Sequence, residues 1–307
     1  MARTQFSSPQ QNYFRLFDTE VILASESTPK HFEMYTNNRV TNNIDYRMTS
    51  YAPMGVAATI NQGDPFPVQD FQNPQSLTVN IYRRAISFQV DRVVFGSDYM
   101  GDAARARGKG VMNSIRLSQE YDAAEFINLA TAGTTTNGVV AIDGVTLASA
   151  SHLVNSGTAS NILANNPVLS YTSLAAAKAA LLNQRDWNGD PMMIAGPYVL
   201  LVPPGLMDFA YRLTQSSNIV GSNDNDKNIA GMQVTVCPSQ FFTSTTAWML
   251  ISKPENPLVR VERGKVETSS SDHRLSIDNS MIYSAMADYG KSALDWRGIV
   301  FSSGAGA

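Results

Sequence analysis

The chain has 307 residues, 43% of them hydrophobic, with 20 glycines. Roughly half of it is therefore apolar, the globular norm, which excludes a disordered, collagenous or coiled-coil chain as a whole. The net charge of −3 lacks the basic excess of a dedicated nucleic-acid binder. Charged residues are only 16%, against a typical ~25%. Two readings account for that shortage: a surface covered by other subunits, or a neutral surface of Ser, Thr and Asn. The single Cys237 cannot form an internal disulfide, and His31, His152 and His273 are far apart. No apolar run reaches the ~18 residues of a membrane span. The start, Met-Ala-Arg-Thr-Gln-Phe, lacks a signal peptide's apolar core, so a cytosol-like compartment is expected.

Residues 1–50 are polar and aperiodic, with scattered Phe6, Tyr13, Phe14 and Phe17. They read as an arm lying on something else, with a helix near Asp18–Ala24. Residues 51–90 read as a long hairpin with a Pro-rich tip at Asn61–Pro67. Leu77, Val79 and Ile81 alternate with polar residues, the period of a half-buried strand, and Ile86, Phe88 and Val90 continue it. Such a hairpin buries little against its own domain and needs a neighbour to pack on. Residues 98–131 predict one long, leaky amphipathic helix, about 50 Å if continuous through Gly101, Gly108 and Gly110, or a short helix followed by a longer one. Arg116 and Glu120 are spaced i,i+4, a pair worth a few tenths of a kcal/mol if exposed.

Residues 134–170 are Thr/Ser/Asn/Gly-rich, with strand-like pieces at Val139–Ile142 and Val145–Leu147. A helix is expected at Ser173–Gln184, capped by Thr172 or Ser173. A turn follows at Asp186–Pro191, then a buried strand at Tyr198–Val202 stopped by Pro203-Pro204, and a helix at Gly205–Gln215. Strands are expected at Met232–Val236, Trp248–Ile251 and Leu258–Val261. A polar loop at Thr268–His273 should precede a final strand pair, Met281–Ala287 with Trp296–Phe301, and a flexible tail, Ser302–Ala307.

No catalytic, metal or cofactor constellation emerges. Asp224-Asn225-Asp226-Lys227-Asn228 and Asp186-Trp187-Asn188-Gly189-Asp190 start like calcium loops. Both lack the required Gly at the sixth position, where Ile229 and Pro191 stand. Nucleotide-loop, HExxH, CxxC and GxSxG motifs are absent. Nothing local orients the histidines, and Cys237, at a strand end, reads as core. Arg83, Arg84, Arg92, Arg105, Arg107, Lys109 and Arg116 outnumber Asp91, Asp98 and Asp102, a local excess of about +4. Intersubunit pairing is the favoured reading, because Arg suits bidentate carboxylate contacts. The candidate subunit-interface residues are Phe66, Phe71, Arg83, Arg84, Arg105, Arg107, Arg116, Glu120 and Trp187.

The order of elements, arm, hairpin, long helix, α/β region and closing strands, resembles a tailed-bacteriophage major capsid protein of the Hong Kong-97-type fold. More narrowly it is similar to the Mu-like major head subunits. The residues carrying the likeness are His152-Leu153-Val154, Leu174-Ala175-Ala176-Ala177, Asp186–Met192, Leu200–Leu206, Ala210–Leu213, Asn223–Asp226 and Trp248–Ile251. The resemblance implies an α+β fold in five parts: arm 1–50, extended hairpin loop 51–90, and peripheral domain with spine helix 91–140. An α/β axial domain 141–250 and closing strands 251–307, mainly peripheral, complete it. It implies a non-enzymatic subunit, without cofactor, that assembles with itself as pentamers and hexamers. The icosahedral shell would enclose double-stranded DNA, without sequence-specific binding and without a membrane. The expected location is the virion, with assembly in the host bacterial cytoplasm; scaffold, portal and decoration proteins are the further partners. The rivals are an encapsulin-like nanocompartment shell and a secreted hydrolase or carbohydrate-binding protein. Some relatives of this fold join a hairpin Lys to a neighbour's Asn. Here no Lys stands between Lys30 and Lys109, so that amine is missing.

Overall fold

The computed structural model describes residues 9–27, 29–52, 56–63, 65–68, 72–91, 93–94, 100–155, 157–219, 226–272 and 280–306. The first helix, α1 (Pro9–Ser27), is 19 residues long, far more than the short helix expected near Asp18–Ala24. Its stripe is Tyr13, Phe17, Val21 and Ala24, all 5% exposed or less, at the spacing of one helical face. It lies on its own chain, not as an unsupported arm. Tyr13 sits 5.0 Å from the Tyr283 ring, and Phe17 meets Phe88 edge-on at 5.4 Å. The polar residues between the stripe positions hid this helix from a composition argument.

The long helix α2 (Met100–Asn128) has 29 residues, about 43 Å at 1.5 Å per residue. It runs through all three glycines without a break. One of them has a packing reason: a Cβ at Gly108 would stand 3.0 Å from Glu20 Cβ and 3.2 Å from the Phe17 carbonyl oxygen. The missing side chain lets α1 approach α2 closely.

Two four-stranded sheets organise the rest. The first contains β1 (Asn37–Thr41), β4 (Tyr82–Asp91), β10 (Leu258–Asp272) and β11 (Ser280–Ala293), in the order β1-β10-β11-β4. The second contains β7 (Tyr198–Val202), β8 (Val234–Pro238), β9 (Trp248–Ser252) and β12 (Ile299–Ser302), in the order β12-β9-β7-β8. In this second sheet β7 and β8 are parallel and the other pairs antiparallel.

The second sheet is buried on both faces, which explains its continuous apolar strands. Val199, Leu201, Met249, Ile251 and Phe301 face one cluster with Phe126 and Ile127 of α2. Leu200, Val202, Trp248, Leu250 and Val300 face another, with α3 (Tyr171–Leu182) and α4 (Met207–Gln215). Leu213, on the apolar face expected of that helix, is 2% exposed there. Ser170, not Thr172 or Ser173, caps α3, in a reciprocal capping box with Ser173. A short 3-10 turn, Pro204–Leu206, precedes α4, so the α-helix starts two residues later than expected.

The hairpin also differs from expectation. Its strands are β2 (Asp45–Ala52) and β3 (Gln72–Asn80). The chain then leaves it at Ile81, and β4 joins the first sheet beside β11. Gly290 is the reason this crossing fits: a Cβ there would stand 2.2 Å from the Asn80 carbonyl oxygen. The hairpin base is held by a small cluster, Met48 and Val79 on Val259 and Val261.

Four further expectations are corrected. The strand-like pieces Val139–Ile142 and Val145–Leu147 make one isolated bridge, Val140 with Thr146. The two-stranded ladder in that region is instead β5 (His152–Val154) with β6 (Gly157–Ala159). The polar run from Thr268 to Asp272 extends β10, because β11 supplies its ladder partners; His273 lies outside the described residues. Met281–Ala287 and Trp296–Phe301 belong to different sheets and do not pair. The tail is tied down through residue 306. Gly306 N donates to Asn166 O at 2.8 Å, and Gly304, at φ +64°, would place a Cβ 2.2 Å from the Thr246 carbonyl oxygen. Small residues there serve close backbone contact.

Candidate assembly surfaces

Among the described residues the far end of the hairpin has no packing partner. Val56, Phe66 and Val68, between its strands, are 82%, 80% and 97% exposed. Burying such side chains is worth about 1.5–3 kcal/mol each, and nothing in the described chain does so. The expected interface residue Phe66 is one of these three. Phe71 lies outside the described residues.

The expected arginines divide into three groups. Arg83 and Arg84 project from β4 and are partnered within the chain. Arg83 grips Asp288 in a bidentate fork, with Nε to Oδ1 at 2.8 Å and Nη2 to Oδ2 at 2.9 Å. That hydrogen bonding holds the Asp288 carboxyl below the usual range. Arg84 pairs with Asp122 at 3.1 Å. Arg105 is 3.9 Å from Asp102 with both side chains exposed, a pair of little energetic value. Arg107 lies over the Phe88 ring at 5.5 Å and donates to the Tyr13 hydroxyl at 3.4 Å.

Arg116 and Glu120 form the third group, and the exposed pairing that their i,i+4 spacing allows is not made. They are 6% and 3% exposed and do not bond each other. Glu120 Oε1 accepts from the backbone N–H of His31 at 2.7 Å and of Phe32 at 3.4 Å. It therefore caps the 3-10 turn His31–Met34 from a different element. Burial raises the Glu120 pKa, and those two N–H groups oppose it. The sequence pattern could not reveal this, because the capped turn is some ninety residues away (separations of 89 and 88).

Trp187 is half-buried in the Asp186–Pro191 turn, and its carbonyl accepts from Asn155 N at 3.2 Å. Asp186 Oδ1 accepts from Asp190 N at 2.9 Å, the self-bonded turn of an Asx residue. The other calcium-like run begins outside the described residues. Among the described residues no three His, Cys, Asp or Glu side chains gather as a metal site. Cys237 is buried in the core, and burial pushes its thiol up to about 12, the opposite of a nucleophile's environment.

Two buried arrangements escaped the sequence reading. His152, fully buried, stacks on Trp296 with centroids 4.6 Å apart, and its Nδ1 lies 2.8 Å from Asp143 Oδ2. Burial alone would raise Asp143. The His152 contact and the N–H groups of Val145 and Leu153 win, and its pKa falls below the ordinary value. Arg260, 2% exposed, lies between the rings of Phe32 at 4.2 Å and Tyr289 at 4.9 Å and pairs with Glu262. The only local signal was an Arg inside an apolar strand run. In sum, the arrangement offers contact surfaces and structural ion pairs.

Comparison with solved structures shows the fold. The capsid of an empty GTA particle is similar at a TM-score of 0.54 and 10% identity, covering 89% of this chain and 88% of that one. The capsid of Cyanophage P-SCSP1u gives 0.52 and 12%, covering 88% and 86%. The procapsid of bacteriophage JBD30 gives 0.52 and 12%, covering 95% and 74%. No curated protein matches the sequence. The sequence profile of the phage capsid protein family, however, matches residues 74–301. That span runs from the hairpin through the long helix and both sheets. The chain belongs to the phage capsid protein family and is a major capsid shell subunit.

Proposed function

We propose that the subunit is of the Hong Kong-97 type, close to the Mu-like major head subunits. Pentamers and hexamers of it would close an icosahedral shell around the double-stranded DNA of a tailed bacteriophage, in the host cytoplasm. Scaffold, portal and decoration proteins are its further partners. In this reading α2 is the spine of a peripheral domain that includes β4, β10 and β11. The sheet of β7, β8, β9 and β12, with α3 and α4, is the axial domain. The β2–β3 hairpin lies over the adjacent subunit, and Phe66, Arg83, Arg84, Arg105, Arg107 and Trp187 face neighbours.

The observation that carries this reading is the hairpin itself. Val56, Phe66 and Val68 stand open at its end, while its base rests on a four-residue cluster. A two-stranded ribbon of that kind is marginal alone and gains its stability from a neighbour. The test replaces residues 56–68 by a short Gly/Ser linker. Wild-type protein should form closed shells by electron microscopy, holding nuclease-protected double-stranded DNA when made in phage-infected cells. The shortened protein should keep its cooperative melting and form no closed shells. Normal shells from the shortened protein would remove the hairpin's assigned role. Wild-type shells that never contain DNA would remove the packaging role.

A further inference from the structure

A cleft of about 260 Å³ opens where the first turn of α4, the end of β8 and the 3-10 turn His31–Met34 meet. Pro204, Met207, Pro238 and Phe241 supply its apolar wall, and His31 stands at one side. Small-molecule sites are usually larger, about 300–1,000 Å³, and gather several convergent polar groups. This cleft is nearer the scale of one large apolar side chain.

The apolar surface continues past it. The Tyr121 ring, 56% exposed, meets Phe241 edge-on at 5.0 Å, and Leu117, one helical turn earlier on α2, is exposed as well. Met207 is 43% exposed. Apolar residues scattered singly over a surface need no explanation, but a contiguous set around a concave site marks a contact. The two prolines and the rings give rigid walls, and the unbranched Met207 adapts to what enters.

The same chain carries an occupant of matching chemistry. Pro65-Phe66-Pro67-Val68, between the hairpin strands, holds Phe66 and Val68 open to solvent. A proline on each side of Phe66 fixes part of the backbone before any contact forms, so ordering it on binding costs little. Short proline-rich segments of this kind dock in grooves walled by aromatic rings. From Met48 in the base cluster to Ala52, β2 carries the chain about 14 Å outward at ~3.4 Å per residue, away from its own subunit's support.

We propose that the cleft receives the hairpin of a second copy. The neighbour's Phe66 enters between Met207 and Phe241, and the neighbour's Val68 lies toward Tyr121 and Leu117. The inference rests on the shell reading and on the hairpin's role in it, and adds where the hairpin lands. Hairpin end and cleft are different surfaces of one chain, so the contact is head-to-tail, the kind that repeats around a ring of copies instead of closing a pair.

Electron cryo-microscopy of wild-type particles, at a resolution that shows side chains, tests the placement. The expected result is the neighbour's Phe66 ring within ~4.5 Å of Met207 and Phe241. Particles whose cleft holds solvent, another segment of the chain, or a scaffold or decoration protein overturn the inference and leave the shell reading intact. Absence of particles overturns both. Met207→Glu gives the complementary readout. Residues 61–70 include Asp64 and Asp70 and no basic residue, so a carboxylate in the cleft repels that segment besides removing apolar contact. A glutamate in the first turn of α4 suits the helix dipole, so isolated variant subunits should melt with the wild type. Particle yield should fall at least ~10-fold, and an unchanged yield would sink the proposal. If Met207→Glu melts lower than wild type, Tyr121→Glu on the exposed face of α2 replaces it, with reduced yield expected and unchanged yield overturning.

Discussion

Asp143 shows how one side chain ties pH to stability. Its side chain is 4% exposed and contacts His152 Nδ1, with Trp296 stacked behind the imidazole. The folded state holds its pKa below the unfolded value, near 3.9. The stabilisation is therefore fully present above the unfolded pKa and is lost as pH falls through the folded one. Asp143→Asn should cost about 1.5–3 kcal/mol at pH 7, the worth of charge-assisted hydrogen bonds. Denaturant midpoints measured from pH 7 down to pH 3 would check this. The wild type should lose stability faster than the variant at the acid end, so that the gap narrows. A gap that stays constant with pH would mean that the Asp143 charge is not what stabilises the site.

The helix pair shows the same logic for whole elements. α1 docks through its Tyr13, Phe17, Val21 and Ala24 stripe and the gap left by Gly108, with polar contacts from Thr268 to Asp18 and from Lys109 to Glu20 beside them. Gly108→Leu would drive a side chain into the Phe17 carbonyl and the Glu20 stem. Overpacking of this kind costs about 1–3 kcal/mol. Because α1 docks along one apolar face, the strain should be released by local undocking and not by global unfolding. Limited proteolysis should then cut within residues 9–27 of the variant at protease levels that spare the wild type, while the two β-sheets stay protected. Equal resistance would show that α1 does not depend on this crossing. Among the described residues the hairpin lacks even this support beyond its base.

The whole chain has 17,298 Å² of accessible surface. A compact monomer of this mass would have about 12,600 Å². A shell subunit can leave such surface open because its neighbours cover part of it. A shell repeats each modest contact many times, so disassembly becomes slow although no single contact is strong. The Arg83 and Arg84 guanidiniums stay protonated and cannot replace the lysine amine that an isopeptide link requires. With no Lys in either hairpin strand or between them, particles boiled in denaturant should run as a single band near 33.4 kDa. A ladder of multimers surviving denaturant and reductant would show a covalent link from elsewhere in the chain.

Much of the α/β half was legible in residue order alone. Tyr198–Val202 and Trp248–Ile251 are apolar runs because both faces of their sheet are covered. The long helix was legible from its own periodicity, and the Leu206, Phe209, Ala210 and Leu213 face from its spacing. Such elements are specified locally, by which side chains must avoid water. The rest depended on partners distant in sequence. Polar Thr268–Asp272 became strand because β11 offered a ladder to it, and β4 left the hairpin because Gly290 gave it room. The spacing of Arg116 and Glu120 left their exposure open, because helical spacing carries no information about what packs on top of a helix. The His31 turn and the end of α1 cover them, so their burial was decided by tertiary contacts alone.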